Sequence, residues 1–262
     1  MFLTTTNKAR FGSVFSIVFL TACGSGSHSP AAANTPQPPV ASGSYEVVTT
    51  IRPETISKYQ AIAKVIYDGC VSSAQLSKLS YKPFVTIPAS FIRQKDTYIS
   101  DGKAFYTKTD TWSIDISDTQ PDKGCATSIA HTVSTQSVHD GYIYAVDIDK
   151  DGHSNSSSPE QYNIAAAAAV DKSAYKLAKA INNVSLGCLD TNDLLAGLAT
   201  EFCIVKDEAG VALTTFDQQP IPAYVRSLAT NDAEGAMLTE PVSAKIGIQV
   251  NPSVFSIGVA KQ

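Results

Sequence analysis

Charge is scarce in this sequence. Only 17 % of its 262 residues are charged, below the roughly 25 % of an average soluble domain. No block of lysines and arginines occurs, and no charged side chain lies between Arg10 and Glu46. A nucleic-acid binder needs clustered basic residues, so that class of partner is excluded. Cys-x-x-Cys pairs are missing, which argues against a structural zinc site. Gly-x-Ser-x-Gly and His-Glu-x-x-His are missing too, so no motif announces a serine nucleophile or a metalloprotease. What is plentiful is apolar: 44 % of the residues are hydrophobic, enough to exclude a collagen-like or broadly disordered chain.

The first segment reads as a leader. Lys8 and Arg10 precede Phe11 to Leu20 (FGSVFSIVFL), and Thr21-Ala22-Cys23 follow. A charged, apolar, small-residue order is that of a secretory signal. Ten residues in a helix rise about 15 Å, half of a bilayer core, so the run cannot span one.

The junction Leu20-Thr21-Ala22-Cys23 resembles the lipobox of bacterial lipoproteins. The resemblance covers residues 1–23 only. It implies cleavage after Ala22, a diacylglycerol on the Cys23 thiol, often an acyl group on its new amino terminus, and a lipid bilayer as the first partner. Two or three acyl chains anchor stably where one would be marginal. The next residue is Gly24, not Asp, which resembles outer-membrane cargo if the host is Gram-negative. An ordinary signal peptide with a cysteine nearby is the rival reading.

On this reading, residues 1–22 are the signal and 23–44 the lipidated cysteine with its tether. Residues 45–262 form the folded domain, and the mature chain carries 18 basic and 24 acidic side chains, a net charge of −6. Gly24 to Ser44 (GSGSHSPAAANTPQPPVASGS) has three Gly, five Ser and four Pro. Such a stretch buries too little apolar surface to offset its ordering entropy. It would reach between about 25 Å as a coil and about 65 Å extended. His28 is a solvated member of it.

Within the domain, Tyr45 to Ile51 reads as a strand. Pro53 and Glu54 open a predicted helix with Ile56, Tyr59, Ala63 and Ile66 on one face, although Ala61 to Tyr67 also fits alternation. Trp112 to Ser117 alternates strictly, Tyr142 to Ile148 reads as a strand, and Ser100-Asp-Gly-Lys103 is a hairpin turn signal. Ser158-Pro-Glu-Gln161 then has the pattern of a helix start. Val170, Ala174, Leu177 and Ile181 fall on one helical stripe, opposite Lys172, Lys176 and Lys179. A shorter helix is expected at Asn192 to Ala199, and an antiparallel pair at Lys245 to Val250 and Val254 to Val259. The order predicts an α+β domain, an antiparallel sheet packed with a few helices.

Four cysteines remain after Cys23. An even number in an exported chain reads as two disulfides, for which three pairings exist. Local closure favours Cys188–Cys203, leaving Cys70–Cys125.

One constellation carries chemistry. Asp147-Ile-Asp-Lys-Asp-Gly152 resembles the calcium loops of the EF-hand family and similar strand-flanked loops. Carboxylates at alternate positions of a tight loop can converge on one hard cation, and Gly152 supplies the turn. Position by position, the resemblance implies side-chain oxygens from Asp147, Asp149 and Asp151, the backbone carbonyl of His153, and Asn155 at the water-mediated place. Two departures matter: Ser158 stands where the family has a bidentate Glu, and Ser154 where it has an aliphatic residue. Glu160 lies two positions late. The expectation is weak calcium binding in a loop entered from a strand and left through the Ser158 helix. The alternative is an acidic, Ser-rich surface turn.

His131, His139 and His153 surround the β region. His139-Asp140 is an obvious base-and-orienter pair, but neighbours on a strand point to opposite faces, which works against their contact. The resulting expectation is a membrane-anchored envelope lipoprotein, a binding or structural domain stabilised by calcium. The alternatives are a periplasmic or surface metal-dependent hydrolase, or a subunit of a larger envelope assembly.

Overall fold

Alternation sets the first strand. In β1 (Tyr45–Pro53), Tyr45, Val47 and Thr49 are buried while the residues between them are partly exposed. The computed structural model describes residues 43–162, 172–190, 194, 199–227 and 235–257. Two helices follow β1, α1 (Ile56–Tyr59) and α2 (Ala61–Leu76). The helical spacing of Ile56, Tyr59, Ala63 and Ile66 was therefore the informative one. Pro53, however, ends the strand rather than opening the helix.

Apart from short 3-10 turns at Pro121–Lys123, Lys172–Ala174 and Pro252–Phe255, the remaining described elements are strands: β2 (Gln94–Ser100), β3 (Phe105–Asp115), β4 (Ser128–His139), β5 (Tyr142–Ile148), β6 (Ser154–Ser156) and β7 (Glu160–Gln161). After these come β8 (Leu177–Ile181), β9 (Val184–Cys188), β10 (Ala199–Val205), β11 (Pro222–Ser227) and β12 (Met237–Ile246). Every pairing among them is antiparallel. They form one sheet in the order β6-β5-β4-β3-β2-β1-β12-β11-β10-β9-β8, with β7 also on β5. With two α-helices against twelve strands among the described residues, the domain is β-rich, more so than the α+β expectation.

Most neighbours are hairpins with readable turns. Ser100 pairs with Phe105, and the Asp101 carboxylate accepts the N–H groups of Lys103 and Ala104 at 2.9 and 2.7 Å. The exception is at the centre, where β1 lies between β2 and β12, and Tyr45 pairs with Ile246, just over two hundred residues away.

Two sequence expectations fail. Leu177–Ile181 is a strand, not the end of a helix, and Glu160–Gln161 is paired with β5, so Ser158 caps nothing. The reason is a two-residue turn: Asn182 and Asn183 take φ of 52° and 61° and fold β8 onto β9, with Ile181 opposite Val184. Residues 163–171 of that helix, and nearly all of the one expected at 192–199, lie outside the described residues; Ala199 begins β10. The closing pair does not form among the described residues either; residues 258 and 259 of it lie outside them. Lys245 and Ile246 end β12, whose partners are β1 and β11, and Pro252–Phe255 is a 3-10 turn.

The main core lies between β1 and the β9–β11 strands, with Tyr45, Val47, Leu186, Val205, Leu213 and Ile221 buried together. The Tyr45 hydroxyl donates to the Thr214 carbonyl at 2.7 Å, and burial raises its pKa. Both disulfides form as expected. Cys188 and Cys203 face each other across β9 and β10, and Cys70 joins α2 to Cys125 in the β3–β4 connection.

Candidate functional site

The acidic loop is the turn between β5 and β6. Ile148 pairs with Ser154, leaving Asp149–His153 as the connection. The Asp149 N–H donates to the His153 carbonyl and the Gly152 N–H to the Asp149 carbonyl, each at 3.0 Å. Gly152 has φ +83°, a conformation L side chains rarely adopt. A carboxylate at Asp149 organises the turn: Oδ1 accepts the N–H groups of Asp151 and His153, both at 2.9 Å, and Oδ2 lies 3.2 Å from His153 Nδ1. The His153 N–H is the main reason the Asp149 pKa is lowered. Lys150 turns away, reaching Asp115 at 2.5 Å and Ser117 at 2.9 Å.

Ligand atoms of Asp149, Asp151 and His153 lie within 4.8 Å of one another, all exposed. Asp147 and Asn155 are not in that group. They sit opposite each other in the β5–β6 ladder, one pair back from the turn. The structure thus brings together two of the five expected donors, the carboxylates of Asp149 and Asp151, joined by the His153 imidazole rather than its expected carbonyl, and holds Asp147 and Asn155 in strands. The exit is β6 rather than a helix, which removes the route by which Glu160 could arrive.

The donor set fits a cation loosely. Two carboxylates are oxygen donors of the kind calcium takes, whereas an imidazole nitrogen suits a transition metal better. One Asp149 oxygen is already committed to two backbone donors, and the His153 carbonyl to a third. Water would have to complete any calcium shell.

The histidines have defined partners. His139 Nδ1 lies 3.1 Å from Asp140 Oδ2, contrary to the strand-parity expectation. Asp140 is not in the strand: with Gly141 it forms a two-residue turn, at φ 53° and 80°, that swings its carboxylate back. The imidazole stacks on Tyr144 at 4.5 Å, and its Nε2 is buried without a hydrogen-bond partner among the described residues.

A second cluster was not singled out from the sequence. His131 Nε2 lies 3.0 Å from Asp110 Oδ1, Lys108 Nζ lies 2.9 Å from Asp110 Oδ2, and the His131 ring stacks on Trp112 at 4.8 Å. Burial pushes the Asp110 carboxyl up, but hydrogen bonds from Lys108 and His131 bring it below the usual range. The alternation Lys108, Asp110, Trp112 puts three side chains on one face, a signal the sequence contained. Their meeting with His131 depends on the β3–β4 register, which it did not.

Cys23 and His28 lie outside the described residues. Among the described residues, no helix is long and apolar enough to cross a membrane. A comparison with models of known protein families returned no match, and neither did one with curated protein sequences.

Proposed function

We propose that this is a cell-envelope lipoprotein, held to a bilayer by an acylated Cys23, whose β-rich domain acts as a binding or structural module. The observation that carries the reading is Leu20-Thr21-Ala22-Cys23 at the end of an apolar run of the correct length. Two disulfides support it, because such bonds persist outside the reducing cytosol. Gly24 after the cysteine favours the outer membrane in a Gram-negative host, with the domain facing the periplasm or the cell surface.

Calcium at the β5–β6 turn is part of the proposal, in a structural role. Two carboxylates on an exposed turn imply weak affinity, about 10⁻⁴ to 10⁻³ M. Exposure on a turn, rather than placement in a concave site, favours a structural ion over a hydrolytic one.

Intact-mass analysis of the protein from its native membrane tests the anchor. The expected product begins at residue 23 and carries two or three acyl chains. A polypeptide that retains Met1, or bears no fatty chain, overturns the reading.

A further inference from the structure

Helix α2 has two apolar faces. One packs Tyr67, Cys70 and Ala74 against Phe84 and Cys125. The other points to solvent: Ile62, Val65 and Ile66 lie on adjacent turns, and Leu76 follows at the end, with Val65 71 % and Leu76 88 % exposed. A surface helix ordinarily turns its polar side outward. Here only Lys64 and Asp68 are charged among the 16 residues of α2, and they pair with each other at 2.5 Å. Exposed Leu79 and Tyr81 extend the apolar surface past the helix end. Of the 13 large hydrophobic residues exposed among the described residues, seven fall between 62 and 92. Such clustering marks an interaction surface, unlike single scattered apolar residues.

Charge is divided along the same line. Residues 55–95 carry six basic side chains and one acidic, a balance of +5. The rest of the domain from Tyr45 onward carries 12 basic and 23 acidic, or −11. Exposed Lys58 precedes the apolar stripe in sequence, and exposed Lys78 and Lys82 follow it. An exposed apolar helix face within a net-basic segment of an otherwise acidic protein is complementary to an anionic lipid surface.

We infer that this face of α2 docks on the bilayer, with Ile62, Val65, Ile66 and Leu76 entering the headgroup layer. The inference deepens the proposed anchoring and rests on it for its geometry. α2 follows the Pro53 end of β1, and Cys70 fastens it to the β3–β4 connection at that end. The nine residues of β1 place it about 30 Å from Tyr45. A 21-residue tether from Cys23, with its reach of about 25 to 65 Å, is long enough for the helix to return to the membrane. Docking is weak by itself and becomes stable when the acyl chains hold the domain close.

The test uses the acylated protein in vesicles of phosphatidylethanolamine and phosphatidylglycerol. In a Trp112→Phe background, which removes the native indole, Leu76→Trp places a reporter on the face, and Val242→Trp, at another exposed position in β12, is the comparison. Brominated acyl chains should quench the indole at 76 at least about threefold more than that at 242. The difference should vanish when Ile62→Glu and Val65→Glu are added, or when phosphatidylglycerol is omitted. Equal quenching at the two positions overturns the inference. So does shielding of the residue-76 indole that arises without vesicles and grows with protein concentration, which would assign the face to a second copy. If the natural protein carries no acyl chain, the anchor reading alone fails. The same reporters are then titrated from solution with the same vesicles, and quenching at 76 over 242 still decides the docking.

Discussion

The Lys206 side chain lies across Gly187, and its ammonium donates to the Tyr175 carbonyl at 2.7 Å. A Cβ at residue 187 would come within 2.3 Å of Lys206 Cε and 2.8 Å of the Tyr175 oxygen. The lysine tip can move aside, but a backbone carbonyl cannot do so without shifting its segment. Gly187→Ala should therefore destabilise the domain by about 1–3 kcal/mol, read as a lower urea midpoint with an unchanged slope. Lys206→Ala removes one obstacle, so the double variant should recover part of the loss.

Cys70–Cys125 closes a separation of 55 residues and Cys188–Cys203 one of 15. In the chain-entropy account these contribute about 4 and about 3 kcal/mol. Cys70→Ser with Cys125→Ser should cost more stability than Cys188→Ser with Cys203→Ser, as measured by denaturant unfolding. The first pair should also increase proteolysis within 61–76, because α2 loses its covalent attachment.

Asp96 and Asp110 should shift stability with pH in opposite senses. Asp96 is buried, which raises its pKa even though Gln94 and Thr109 donate to it. A raised folded pKa means its favourable contribution is complete below the unfolded value and is lost as pH rises through the folded one. Asp96→Asn should thus be more stable than the natural protein at pH 7, with the gap closing toward about pH 4. Asp110 has a lowered pKa, so its contribution is present at neutral pH and lost only in stronger acid. Asp110→Asn should cost about 1–2 kcal/mol at pH 7, and that gap should persist until the pH falls below the ordinary carboxylate range.

Calcium should raise the melting temperature only at millimolar concentrations. With a dissociation constant of about 10⁻³ M, about 10 mM calcium adds roughly 1.4 kcal/mol. Asp151→Asn should remove that increment with little effect on the ion-free protein. Asp149→Asn should also destabilise the ion-free protein, because its carboxylate holds two backbone N–H groups of the turn. A melting temperature indifferent to calcium in the natural protein would rule out the ion.

Local features were legible and distant pairings were not. The turn at Ser100–Lys103 and the strand at Tyr142–Ile148 are set by neighbours in sequence, and the spacing of Ile56, Tyr59 and Ile66 found the helical region that the structure divides into α1 and α2. The stripe misled at Leu177 and Ile181, because Asn182-Asn183 commits the residues before it to a hairpin and tertiary pairing overrides helical spacing. Residues 245 onward misled for another reason: the partner of β12 is β1, out of reach of any local pattern. The site divides the same way. Asp149, Asp151 and His153 meet because they share a turn, while the meeting of Asp110 with His131 requires the register of two long strands.

Because the first strand of the domain is also its middle one, a pull on the chain entering at Tyr45 does not peel the sheet from a free margin. It loads β1 in shear against β2 and β12 together, so many ladder bonds must break at once. A domain mounted by its amino end in a moving envelope would gain mechanical toughness from that arrangement.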